Sequence, residues 1–100
     1  MADRAKPLSD GDISKIISNA LDRGAVLPSN HFRRRMRERN FNMQDAVAAL
    51  EERRRIKAVW NDIADMWNYD VRGQDLDGNE LTIRIVPRDD NTGIVLVTGF

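Results

Sequence analysis

Residues 31–39 read His-Phe-Arg-Arg-Arg-Met-Arg-Glu-Arg, five arginines and one glutamate in nine positions. On a helix, residues four apart lie one above the other, so His31, Arg35 and Arg39 share a side with Arg34 beside them. Arginine's planar fork suits bidentate contact with phosphate oxygens. Histidine titrates near neutral pH and can accept or give a proton. The start of a helix favours anions. Together these groups suit a phosphodiester. The arginines hold the phosphate and stabilise charge in the transition state, while His31 acts as base or acid. Arg33, Arg34 and Arg37 widen the cationic surface and are assigned to nucleic-acid binding. Two plainer readings stand beside this one. A histidine at a helix start also serves as a capping or hydrogen-bonding group. An arginine-rich face is often solvated and paired with acids, here Glu38, Glu51, Asp89 or Asp90.

The elements that must position these residues are marked by caps and periodicity. Residues 1–8 read as a flexible arm, and 9–100 as a single domain. Ser9 can cap a first helix, with Asp12 three residues on; Ile13, Ile16, Ile17, Ala20 and Leu21 form its apolar face. Gly24 stops it and Pro28 opposes continuation. A second helix starts near Ser29 or Asn30, carries Phe32 and Met36 inward, and stops near Asn40. The third has Asn42 as cap, Asp45 completing the box, Phe41 as a staple to Ala46, and Met43, Ala46, Val47 and Leu50 as its buried stripe. It ends around Arg53–Arg55, where positive charge is favourable without any ligand.

The period then changes to alternation. Strands are expected at Ile56–Trp60, around Trp67–Tyr69–Val71, around Leu81–Ile83–Ile85, and at Ile94–Thr98. Trp60 and Trp67 read as core or rim residues. A three-residue loop, Leu76-Asp77-Gly78, pairs Val71 with Ile83, Tyr69 with Ile85 and Asp70 with Arg84. A two-residue Asp77-Gly78 loop would bury a charge and is rejected. The segment Asp89-Asp-Asn-Thr-Gly93 supplies the last turn. The expected fold is α+β, three N-terminal helices on one face of a four-stranded antiparallel meander.

Composition narrows the chemistry. With no cysteine and one histidine among 100 residues, neither a disulfide framework nor a thiolate metal site is available. No metal and no cofactor are expected. The opening MADRAKPLSDGD lacks the apolar stretch of a secretory signal, and no window is long enough to span a membrane. The expected location is cytoplasmic, with no membrane partner. Net charge is zero, but residues 1–60 carry thirteen Lys/Arg against eight Asp/Glu, and residues 61–100 carry three against eight. The bland account of that asymmetry is a basic helical layer resting on an acidic sheet.

The string His31-x-x-x-Arg35-Met36-x-x-Arg39-Asn40-Phe41 resembles the opening motif of domain-of-unknown-function family 4258, small bacterial and phage proteins. The following NMQDAVAALEE and the run Val71-x-Gly73-x-Asp75-x-Asp77-Gly78-x-x-Leu81 also resemble it, as does the strand into Val97-Thr98. The resemblance covers residues 29–100; Asn40 and Phe41 stand where the family has Gly and Ile. It implies a RelE-, barnase- and colicin-like ribonuclease-toxin fold, and RNA cleavage by attack of the ribose 2′-hydroxyl on the adjacent phosphate. By that resemblance His31 would transfer protons, Arg35 and Arg39 would hold phosphate, and Thr98 would be a polar site residue. The partner of His31 would be an acid, an arginine-assisted water or Tyr69.

Three functions follow as expectations. The first is a metal-independent endoribonuclease using His31, Arg35, Arg39 and Thr98. The second is a non-catalytic RNA- or DNA-binding module on the same helix. The third is a protein-interaction domain, meeting a cognate antitoxin or another protein, or forming a homodimer through the last strand if that strand is an edge.

Overall fold

The computed structural model of the protein describes residues 6–88 and 92–100. Residues 1–5 of the expected arm, and Asp89, Asp90 and Asn91 of the expected last turn, lie outside the described residues. The elements are α1 (Asp10–Arg23), β1 (Val26–Pro28), α2 (Asn30–Arg39), α3 (Met43–Glu52), β2 (Arg55–Asn61), β3 (Met66–Gln74), β4 (Glu80–Pro87) and β5 (Ile94–Gly99).

Each helix begins where its cap is legible. Ser9 accepts from the Asp12 amide at 3.1 Å, and Ser29 from the Phe32 amide at 3.0 Å. Asn42 and Asp45 close a full capping box. The α2 and α3 helices stop at residues in the left-handed region, Asn40 at φ 57° and Arg53 at φ 43°. The Leu8 amide donates to the Tyr69 hydroxyl at 3.0 Å, so the end of the expected arm is tied to the sheet.

The sheet departs from the expected meander. It has five strands in the order β1-β5-β4-β3-β2, and it is mixed. Strands β2 to β5 are antiparallel neighbours, but β1 lies between α1 and α2 in the chain and pairs parallel to β5, Val26 with Ile94 and Pro28 with Leu96. The expectation of four antiparallel strands preceded by three helices is therefore corrected. Three residues are too few to display an alternation, and Pro28 signals a helix break rather than a strand. An edge strand tolerates proline because its outward side needs no amide donor. The same finding removes the premise that β5 is an edge.

The β3–β4 hairpin has the expected register: Val71 faces Ile83, Tyr69 faces Ile85 and Asp70 faces Arg84. Its loop closes through the Asp75 amide on the Asn79 carbonyl at 2.8 Å, and Gly78 adopts φ 84°. That angle belongs to the left-handed region, where a side chain would be strained.

The core lies between the helices and one sheet face. Ile13, Ile17, Phe32, Leu50, Val71, Ile83, Ile85, Ile94 and Leu96 are fully buried. The expected stripe of α3 needs adjustment: Ala46 and Leu50 are buried, joined by Ala49, whereas Met43 and Val47 are only half-buried. Ala49 packs where β3 has no side chain. A Cβ built on Gly73 would lie 2.9 Å from the Ala49 Cα and closer still to its carbonyl oxygen.

Gly73→Ala should therefore cost about 3 kcal/mol, because helix backbone cannot give way like a side chain. Gly11→Ala, in the first turn of α1 where an added Cβ would meet only the Ser9 hydroxyl at an ordinary 3.9 Å, should raise stability by about 0.5 kcal/mol. Urea unfolding of both variants checks the pair, and equal effects would refute the close packing of α3 on β3.

Candidate functional site

Helix α2 is half arginine, so little of it is held by apolar burial. Phe32 is its one fully buried residue. Its ring meets Phe41 edge-on, with centroids 5.6 Å apart. Both rings lie over Gly99, where an added Cβ would come within 2.7 Å of Phe41 and 3.3 Å of Phe32. Polar contacts hold the rest. The Ser29 amide donates to the Leu96 carbonyl and its hydroxyl to the Val97 carbonyl, each at 3.0 Å. The Arg35 Nε donates to the Gly99 carbonyl at 3.3 Å. Helix α2 thus lies along the C-terminal half of β5.

This seating brings Arg35 to the end of β5, at the residue after Thr98. Arg35 is held between the Gly99 carbonyl and Glu38 Oε1, the latter also at 3.3 Å. His31, one turn earlier on the same side, is exposed and makes no hydrogen bond or ion pair among the described residues. Arg34 is likewise exposed and unpaired among them. Thr98 precedes the glycine that Arg35 holds. It faces Arg84 across the strand pair, next to a register shift that leaves Val97 as an extra residue. Such bulges re-aim side chains and are common beside functional sites.

Two residues at this edge were missed in the sequence. Arg84 was read only as a cross-strand partner, and Phe100 was not assigned a role. The Phe100 amide and carbonyl pair with Thr82 at 2.9 and 2.8 Å, which extends β5. The Arg84 guanidinium lies 5.6 Å from the centre of the Phe100 ring. The available signal was alternation, since Phe100 follows Thr98 by two. Arg84 is locked by a bidentate bond to Asp70, Nε to Oδ1 at 2.7 Å and NH2 to Oδ2 at 3.0 Å. That hydrogen bonding raises the guanidinium above its ordinary pKa, against the opposing effect of burial.

Other expected residues meet different surroundings. Arg39 lines a cleft of about 380 Å³ together with Asp45, Asp75, Asp77, Glu80 and Phe100. Those carboxylates offset its charge, so it stands apart from His31 electrostatically. Arg33 and Arg37 line a different cleft with Met36, Phe41 and Met43, on the opposite flank of α2. Tyr69 is buried on the helix-covered face with its hydroxyl accepting from Leu8, which removes it as the proton partner of His31.

The ion pairs among the described residues are Arg35–Glu38, Arg54–Glu52, Arg72–Glu80 and Arg84–Asp70. None of these four joins a helix to the sheet, so the notion of a basic layer neutralised by an acidic sheet finds support only in the surroundings of Arg39. Among the described residues no group of three His, Asp or Glu side chains could hold a metal ion. No helix among them is long and apolar enough to cross a membrane. Compared with protein-family models, curated proteins and solved structures, the chain matches none.

Asp70→Asn removes the charged acceptor from a guanidinium whose side chain is only 30% exposed. It should cost about 1.5–3 kcal/mol, the range for a hydrogen bond to a charged group. A urea midpoint equal to wild type would show that the pair contributes nothing.

Proposed function

We propose that this protein binds single-stranded RNA along the edge formed by α2 and the end of β5. The observation that carries the reading is the Arg35 guanidinium held on the Gly99 carbonyl at the end of β5, where the strand also sets Thr98 opposite Arg84 and Arg84 beside the Phe100 ring. Arg34 offers a free guanidinium, and Arg35 one already oriented by the strand carbonyl, for successive phosphates. Phe100, 46% exposed, offers a ring on which a base can stack beside Arg84. Thr98 supplies a hydroxyl for a sugar or phosphate oxygen.

Cleavage is a second reading, favoured by one observation: His31 is exposed and unengaged, one turn from the anchored Arg35. His31 would take the proton of a ribose 2′-hydroxyl as its oxygen attacks the adjacent phosphorus. Arg35 would hold the phosphate oxygens, and the departing 5′-oxygen would take its proton from water. The products would be a 2′,3′-cyclic phosphate and a 5′-hydroxyl end.

Fluorescence anisotropy with labelled mixed-sequence RNA in EDTA separates the two readings. Wild type should bind with an affinity that falls steeply with salt, and Arg34→Ala should weaken binding about fivefold and lower the salt slope by about one. His31→Ala should keep most of the affinity while losing any cleavage seen on a gel. Absence of binding at low salt would refute RNA association, and uncut RNA bound by wild type would leave binding alone.

A further inference from the structure

The helices take one face of the sheet. Tyr69, Val71, Leu81, Ile83, Ile85 and Leu96 are buried towards them. Side chains alternate along a strand, so the residues between these point to the opposite face. The register there builds two rows across four strands. In the first, Thr98 of β5 stands opposite Arg84 of β4, Arg84 opposite Asp70 of β3, and Asp70 opposite Lys57 of β2. In the second, Phe100 pairs with Thr82, Thr82 stands opposite Arg72, and Arg72 opposite Arg55. Both rows start at the end of β5 and finish on β2, the last strand of the sheet. Neighbouring strands lie about 4.8 Å apart, so each row runs roughly 14 Å.

The acids of this surface are each matched by an arginine. Asp70 holds Arg84 at 2.7 Å and Glu80 holds Arg72 at 2.9 Å. Glu52 holds Arg54 at 3.4 Å just ahead of β2. Arg55 and Lys57 are left over: both are exposed and carry no ion pair among the described residues. Strand β2 itself carries no carboxylate. The surplus positive charge of the face therefore lies at the far end of both rows from Thr98 and Phe100. A chain of phosphates is complementary to that distribution, and the hydroxyls of Thr98 and Thr82 stand along its way as partners for sugar and phosphate oxygens.

We infer that single-stranded RNA held at the end of β5 continues across this sheet face to β2, where Arg55 and Lys57 each hold a phosphate. The inference rests on the RNA-binding reading and adds to it a direction: the bound strand runs transverse to the β-strands, away from α2. Arg72 lies on the way. Its pair with Glu80 is half-exposed on both sides, at 49% and 58%, so a phosphate can compete for the guanidinium. Arg84 keeps its bidentate bond to Asp70 and acts through the Phe100 ring beside it.

Fluorescence anisotropy of the full chain with labelled mixed-sequence RNA, repeated over a range of salt, tests this. Arg55→Ala and Lys57→Ala should each weaken binding about fivefold and lower the salt slope by about one. Lys57→Arg should keep both. Lys15→Ala, which removes the same charge from an exposed position on α1 in the helical layer, should leave the salt slope at its wild-type value. Arg55 and Lys57 are exposed, so their substitution leaves folding intact, which circular dichroism verifies. RNA bound by wild type, with Arg55→Ala and Lys57→Ala no different from Lys15→Ala, overturns the inference and leaves the site at the end of β5 standing. A wild type that binds no RNA at low salt removes that site, and this path with it.

Discussion

Two missing side chains on the inner face of the sheet set the positions of α2 and α3. At Gly73 the backbone of α3 comes so near that a single methyl group would collide with the Ala49 carbonyl. At Gly99 the Phe32–Phe41 pair fills the space that a side chain would occupy. Close packing leaves no slack at either point, so each helix has one depth and one lateral position. The cationic edge is a consequence of the second contact. With Phe32 seated over Gly99, Arg35 reaches the Gly99 carbonyl, and the side of α2 bearing His31 runs beside the end of β5.

Strand β5 is where most of this organisation converges. It pairs with β4 on one side and with β1 on the other, and its carbonyls at Leu96, Val97 and Gly99 receive Ser29 and Arg35. A strand so engaged offers no free run of amides and carbonyls to another chain. Its register shift places Thr98 opposite Arg84, and the Asp70 carboxylate holds Arg84 in one orientation near Phe100. The result is a polar edge whose Arg35 and Arg84 side chains are held in place by the fold itself.

The arginines of α2 divide by direction rather than acting as one patch. Arg34 and Arg35 accompany His31, Arg39 enters an acidic cleft, and Arg33 and Arg37 border the cleft at Met36 and Met43. A short helix with charges around most of its circumference must present them to several different environments, because 3.6 residues per turn distribute nine consecutive positions around the axis. Counting charges along the chain therefore overstates how many can serve one ligand.

Local physics was legible in the sequence. The caps at Ser9 and Asn42 were identifiable, and that of α2 was narrowed to Ser29 or Asn30, because a side-chain oxygen and the amide it satisfies lie within three residues. The β3–β4 register was identifiable because loop length and alternation leave one pairing that buries only apolar groups. His31, Arg34 and Arg35 could be grouped because four-residue spacing is itself a helix property. Only tertiary structure decided the rest. The parallel pairing of β1 with β5 joins residues sixty-eight positions apart through a segment too short to show a period. The exposure of Met43 and Val47 depends on how much of α3 the sheet covers, and the placement of Arg39 and Phe100 on how the helix end and hairpin meet. Periodicity reports which residues share a face; it carries no information on which distant element, if any, covers that face.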